Sequence, residues 1–287
     1  MHSSPPRSPA DLLLIGIDFS SAPTRRKPIT AAFGRRRGQV LQLDRLEALP
    51  SLAEFEALLA RPGPWLAGCD FPFGLPRELV ETLDWPRADW ASLIRHYASL
   101  DRATIRAQFA AFCAARPAGA KFAHRASDAP AGASPSMKWV NPPVAYMLHA
   151  GAPRLLAAGV SLPGLQAGDP ARVALEAYPG LLARELLGRR SYKSDELAKQ
   201  DEARLIARKD LVDALEQGRS RLGLRLKLSH AQREALVDDA RGDLLDAVLC
   251  LLQAGWAAEQ PGYGLPPALD PVEGWIISAE FEAGSRG

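Results

Sequence analysis

The amino-acid sequence predicts an α/β fold: a mixed sheet flanked by helices. Three observations lead there. Leu12 to Phe19 (LLLIGIDF) is a short, almost wholly apolar run with polar neighbours, the pattern of a strand buried on both faces. Ile29 to Phe33 and Gln39 to Leu43 then flank a charged GRRRG segment, as the two arms of a hairpin do. The opening third therefore reads as an antiparallel meander of three strands. Further short apolar runs, Trp65 to Asp70 (WLAGCD) and Val173 to Ala177 (VALEA), are separated by helix-period segments, which suits parallel strands joined by crossovers.

The helices follow from spacing and caps. Ser51 stands before an apolar-periodic run with Glu54 three residues later, the capping-box spacing, so a helix is expected to Leu59. FPFGLP, after Asp70, stops its strand in a rigid loop. Arg87 to Ala115 carries apolar residues at helical intervals (Ile94, Tyr97, Leu100, Ile105, Phe109, Phe112). Residues 117–143 break the pattern, being rich in Ala, Gly, Ser and Pro, and a long irregular segment of this kind is usually functional or disordered. Helices are expected again over Val144 to Ala158, from Pro179 to Leu187, and through the charged Ser194 to Gly218. One long helix is expected from Ser229 to Ala258, and a last strand around Trp275.

Composition narrows the class of protein. The chain has 287 residues, 47% of them hydrophobic and 24% charged, enough for a sizeable core. No repeat or linker divides it, so one domain over residues 12–282 is the simplest expectation. Residues 1–11 (MHSSPPRSPAD) read as a disordered leader without the apolar stretch of a signal peptide. The net charge of +2 supplies no global attraction to nucleic acid or membrane, so any basic surface must be local. Cys69, Cys113 and Cys250 lie far apart among apolar neighbours, as small buried hydrophobes do. With no run long enough to span a bilayer, a cytoplasmic location is expected.

Three carboxylates close short apolar runs: Asp18 in GIDFS, Asp70 in GCDFP and Glu176 in LEAYP. Ligand sites in open α/β sheets lie outside the carboxyl ends of parallel strands, so the three are expected in one crevice. Each Asp alone is also a common turn residue. Asp239, Asp243 and Asp246 follow at i, i+4 and i+7, on one face of the expected long helix, and such like charges repel unless a cation offsets them. A solvated helix face is the plainer reading of Asp239, less so of Asp246, which directly precedes the apolar AVLCLLQAG. Hard cations such as Mg²⁺ or Mn²⁺ select carboxylate oxygens, and a pair of such ions can cleave phosphodiesters.

GIDFS, GCDFPFGLP, HRASD, LEAYPG, and DLLDAVLCLLQAG followed by DPVEGWI, in that order, resemble the predicted-nuclease family called domain of unknown function 429, of the ribonuclease H-like superfamily. The resemblance runs from about Leu12 to Ile277. It implies a ribonuclease H-like sheet and a metal-dependent nuclease. It also implies a ligand set with Asp18 on the first strand, Asp70 or Glu176 at a later strand end, and Asp243 or Asp246 on the C-terminal helix. On this reading Asp18, Asp70, Glu176 and Asp246 are the candidate catalytic residues, with Asp243 a further candidate metal ligand.

Nucleic acid is the expected substrate, and basic residues are its candidate contacts. Arg25 follows Asp18 closely, and Lys193 follows the Glu176 strand and its helix; both suit phosphate oxygens. Lys121, Arg125 and Lys138 lie in the irregular segment among Phe122 and Trp139, a mixture suited to single strands but equally common in loops packed on a core. Two other readings stand beside the nuclease. One is a phosphotransferase or ATPase of the actin-like superfamily, which should show two copies of the core. The other is a non-catalytic nucleic-acid-binding protein of the same fold. The apolar C-terminal helix also offers a face for a homodimer.

Overall fold

In a computed structural model, residues 12–281 are described; the expected leader at 1–11 lies outside them. Three strands open the chain, β1 (Leu13–Asp18), β2 (Ile29–Arg37) and β3 (Val40–Leu49), and α1 (Leu52–Leu59) leads to β4 (Trp65–Asp70). Next come α2 (Arg77–Thr82), α3 (Trp90–Ser99), α4 (Arg102–Ala114), the single turn α5 (Asp128–Ala131) and α6 (Val144–Ala158). The short β5 (Val160–Ser161), β6 (Asp169–Glu176), α7 (Pro179–Leu187) and α8 (Glu202–Glu216) follow. The chain closes with β7 (Arg225–Lys227), α9 (His230–Asp238) and α10 (Asp243–Ala257).

The seven strands form one mixed sheet in the order β5-β6-β4-β1-β2-β3-β7. β1, β2 and β3 pair antiparallel as the expected meander, whereas β1 with β4, and β4 with β6, pair parallel. Ser51 caps α1 by accepting the Glu54 N–H, as the capping-box spacing predicts. The expected final strand is reduced to one parallel bridge between Glu176 and Ile276.

β1 sits at the sheet centre because both of its faces are apolar. Ile15 and Ile17 face the core built with α3, α4 and α6; Leu14 faces a second core built with α7, α8 and α10. The second face needs a small residue where α10 crosses. A Cβ on Gly16 would lie 2.0 Å from the Ala247 carbonyl oxygen, and one on Gly68 would lie 2.6 Å from that of Cys250. These glycines let the helix backbone rest on the strands, which fixes where its first turn meets their ends. Cys69, Cys113 and Cys250 are all buried in this packing.

The structure corrects two helical expectations. Arg87 to Ala115 is two helices, because the chain is extended at Leu100 and Asp101 starts α4 by capping the Thr104 N–H. Ser229 to Ala258 is also two helices, broken between Asp238 and Asp243, with Gly242 in the left-handed region (φ 76°). Asp239 therefore shares no helix face with Asp243 and Asp246. It ends α9 and accepts the N–H of Leu244 at 2.9 Å, turning the chain into α10.

Buried residues occupy every side of α10, which lies between the sheet and the layer formed by α7, α8 and α9. Its apolar run, read from the sequence as a homodimer face, is instead consumed inside the chain, so that ground for a dimer is removed. Among the described residues, no helix is long and apolar enough to cross a membrane.

Candidate functional site

The parallel pairing of β1 and β4 is in register through Asp18 opposite Asp70, so the two carboxylates leave the sheet side by side. Both share the face of Gly16 and Gly68, against which α10 lies. Because α10 begins at Asp243, its first turn carries Asp246 over the two strand ends. One carboxylate oxygen from each of Asp18, Asp70 and Asp246 falls within 4.8 Å of the others. The Gly242 break makes this possible, since a straight helix from Ser229 would not present its N-terminal turn here.

Asp246 is almost wholly buried and is held by two donors, the Tyr192 hydroxyl on Oδ1 and the Lys193 ammonium on Oδ2. Burial works against the Lys193 charge, but Asp246, Tyr192 and Asp18 together more than offset it and keep the ammonium pKa well above the ordinary lysine value. For Asp18, burial and then the neighbouring Asp246 and Asp70 raise the carboxyl pKa well above its usual range. Asp70 is pushed up to about 8, by burial first and Asp246 second. For both, Lys193 is the opposing influence. Three carboxylates thus face one ammonium, an excess of negative charge in a partly enclosed place.

Asp243 stands one turn before Asp246, outside the close triad. Its carboxyl is raised by burial and by Asp239, and its Oδ2 accepts no hydrogen bond; the nearest cation is Arg241, at 3.5 Å.

Glu176 does not join the cluster. β6 pairs with β4 through Cys69 opposite Glu176, one residue out of step with Asp70. Side chains alternate across a sheet, so Glu176 points to the opposite face from Asp18 and Asp70. There it binds the buried Arg125 through two hydrogen bonds, at 2.7 and 2.8 Å, and accepts the Phe73 N–H. Arg125 also grips Asp128. Burial opposes its charge, but Glu176 and Asp128 hold the guanidinium pKa above its ordinary value. Glu176 is therefore corrected from candidate ligand and catalytic residue to partner of a buried arginine, and Arg125 from substrate contact to anchor of the irregular segment.

Removing one member of such a pair leaves an uncompensated buried charge. Glu176→Gln should cost about 3–5 kcal/mol in urea unfolding, and Arg125→Met should cost at least as much, since it leaves both Glu176 and Asp128 without their cation. The divalent-cation-induced rise in melting temperature should survive in Glu176→Gln; its loss would return Glu176 to the ligand set.

The other basic candidates spread out. Arg25 and Lys121 are exposed and Lys138 is half-buried; none lines the cleft beside the triad. Phe122 and Trp139 pack edge-to-face at 5.8 Å and lean on the core, so the plainer reading of that mixture holds and no aromatic platform faces solvent there. Lys193 is the basic candidate that reaches the acids. Sequence reasoning missed Tyr192 and the cleft itself.

That cleft has a volume of about 470 Å³ and is lined by Asp70, Met147, Tyr178, Arg184, Arg190 and Lys193 among others. Comparison of the chain with protein-family models, with curated proteins and with solved structures gives no match. The chemistry is accordingly read from the site alone. Its donor set is three carboxylates, the ligands that hard divalent cations select, and a cation there would offset the charge that burial makes costly.

Proposed function

We propose that this chain is a ribonuclease H-like, divalent-metal-dependent nuclease that hydrolyses phosphodiester bonds in nucleic acid. The observation that carries the reading is the convergence of Asp18, Asp70 and Asp246 at the carboxyl ends of two parallel strands, beside an open cleft. A three-stranded meander continued by parallel strands, with an acidic helix start laid across the first strand, is the arrangement that reading requires.

Asp18, Asp70 and Asp246 would hold Mg²⁺ or Mn²⁺, with Asp243 next in line should a second ion bind. Bound there, the metal supplies an activated water and neutralises charge on the departing oxygen. The rest falls to the chain. Tyr192 orients the Asp246 carboxylate by its hydroxyl hydrogen bond. Lys193 holds Asp246 and would share it with the cation, and its flexible ammonium suits a phosphate oxygen at the mouth of the cleft. Arg125 neutralises Glu176, so that this buried carboxylate adds little repulsion toward a phosphate.

Neither alternative gains a supporting observation. The actin-like reading requires two copies of the core, and the described residues hold one meander. A non-catalytic nucleic-acid-binding protein gives no reason to crowd three acids where burial penalises their charge and where they would repel phosphate. The test is cleavage by the purified full-length protein with Mg²⁺ or Mn²⁺ across single-stranded, double-stranded, hybrid and branched substrates. Cleavage that EDTA abolishes is expected; no cleavage on any of them refutes the proposal.

A further inference from the structure

The cleft beside the triad is a partly enclosed pocket. Its volume, about 470 Å³, falls in the roughly 300–1,000 Å³ range of small-molecule sites. Its walls are chemically divided. Half-buried Met147 and Tyr178 supply its accessible apolar and aromatic surface, Phe71 and Ile276 being buried, and the exposed Arg184 and Arg190 also line it.

The state of those two arginines matters. Arg184 is exposed, lies beside the Tyr178 phenol, and makes no ion pair with a carboxylate among the described residues. Its side-chain hydrogen bonds, to the Tyr178 phenol and at a long 3.4 Å to the Ala131 carbonyl, use only uncharged partners. Arg190 pairs with Asp210, but the two side chains are 52% and 44% exposed, and such solvated pairs exchange readily for a better anion. The guanidinium of Arg125, also in the wall, is consumed by Glu176 and Asp128 and is not available. The cleft therefore presents the carboxyl of Asp70, an apolar and aromatic surface, and two guanidinium groups that no buried carboxylate holds.

We propose that this cleft binds a single nucleotide, its base against Tyr178 and Met147 and a phosphate monoester on Arg184 and Arg190. Aromatic faces stack on any base, and guanidinium groups match phosphate oxygens two at a time. The nucleotide is either free or the phosphorylated end residue of a strand. In the second case, the bond joining it to the rest of the strand is the one presented to Asp18, Asp70 and Asp246. That placement rests on the nuclease reading; nucleotide binding itself does not.

The test is calorimetric titration of the full-length protein in EDTA, so that binding is read without cleavage. The probes are adenosine 5′-monophosphate, a 5′-phosphorylated single-stranded DNA decamer, and the same decamer without its terminal phosphate. Saturable binding of a phosphorylated probe is expected, weakened at least about 10-fold by Arg184→Gln and by Tyr178→Ala, and unchanged by Arg37→Gln on the distant hairpin. Arg184 is exposed, so its variant should fold and keep the wild-type melting temperature. Tighter binding of the phosphorylated decamer assigns the site to strand ends, and tighter binding of the mononucleotide assigns it to free nucleotides. The proposal is overturned by no saturable binding of either phosphorylated probe. It is equally overturned if Arg184→Gln binds as wild type, or if the decamer is the tighter probe yet binds alike with and without its phosphate. Asp70→Asn should lose cleavage yet retain this binding, so failure of the nuclease reading and failure of the nucleotide site give different results.

Discussion

Asp70→Asn should lower metal-dependent cleavage at least about a hundred-fold and, in EDTA, make the protein more stable at pH 8. The first effect follows from the donor set. Loss of a residue that merely supports a ligand typically costs about 10–100-fold in metal affinity or activity, so loss of a direct ligand should cost at least as much. The second effect follows from charge crowding. Burial and Asp246 push the Asp70 carboxyl up to about 8, against about 3.9 in an unfolded chain. A raised carboxyl binds its proton more tightly when folded, so its stabilising contribution is complete below about pH 4 and is lost as pH rises through about 8. Without metal, the wild type should lose stability across that window, and Asp70→Asn should flatten the loss. A gain of about 1–3 kcal/mol at pH 8, or several degrees in melting temperature, is expected. Thermal scans from pH 5 to 8, with and without Mn²⁺, read both effects. A variant that retains cleavage, or whose pH dependence matches wild type, would remove Asp70 from the site.

Gly16→Ala should be among the most damaging substitutions of a single methyl group in this chain. The new Cβ would meet the Ala247 carbonyl oxygen at 2.0 Å and the Leu251 nitrogen at 2.2 Å. Both are backbone atoms of α10, so no side-chain rotation relieves the clash; the helix must lift from the sheet. Ordinary overpacking costs about 1–3 kcal/mol, and this contact, made with helix backbone at the centre of the core, should cost more than about 3 kcal/mol. That is a large part of the about 5–15 kcal/mol that holds a typical domain together. Since α10 carries Asp246, whatever folds should also bind Mn²⁺ more weakly, although Gly16 touches no ligand. Urea unfolding and Mn²⁺ titration of the variant measure the two effects. Wild-type values in both would show that α10 is not seated on β1 as described.

These two residues show how far the sequence carries the site. Asp18 and Asp70 were legible because each closes an apolar run; Gly16 and Gly68, two positions before them on the same strand face, carry a second signal that the sequence reading did not use. Glu176 has the first property and lacks the second. Ala174 occupies the corresponding position on the opposite core face, and the small residue toward α10 is Ala177. An apolar run shows where a strand ends but not which way its last side chain points, and an offset of one residue sent Glu176 to Arg125. The break before Asp243 was written as Gly242, a residue tolerated inside helices as well as at their ends, so periodicity ran through it. Tyr192 and the cleft arise from chain segments distant in sequence, and no local pattern marks such a meeting. The meander, by contrast, depends on neighbouring strands and a turn, and its order was readable from the outset.

The account stands most directly on the cation that Asp18, Asp70 and Asp246 would share. Anomalous scattering from crystals soaked in Mn²⁺ locates such an ion without reference to activity. A manganese peak ligated by carboxylate oxygens of all three residues, with Glu176 still paired to Arg125, is the expected result. A saturating soak that leaves the triad without a peak, with Lys193 still on Asp246, would contradict the metal centre and the nuclease reading built on it.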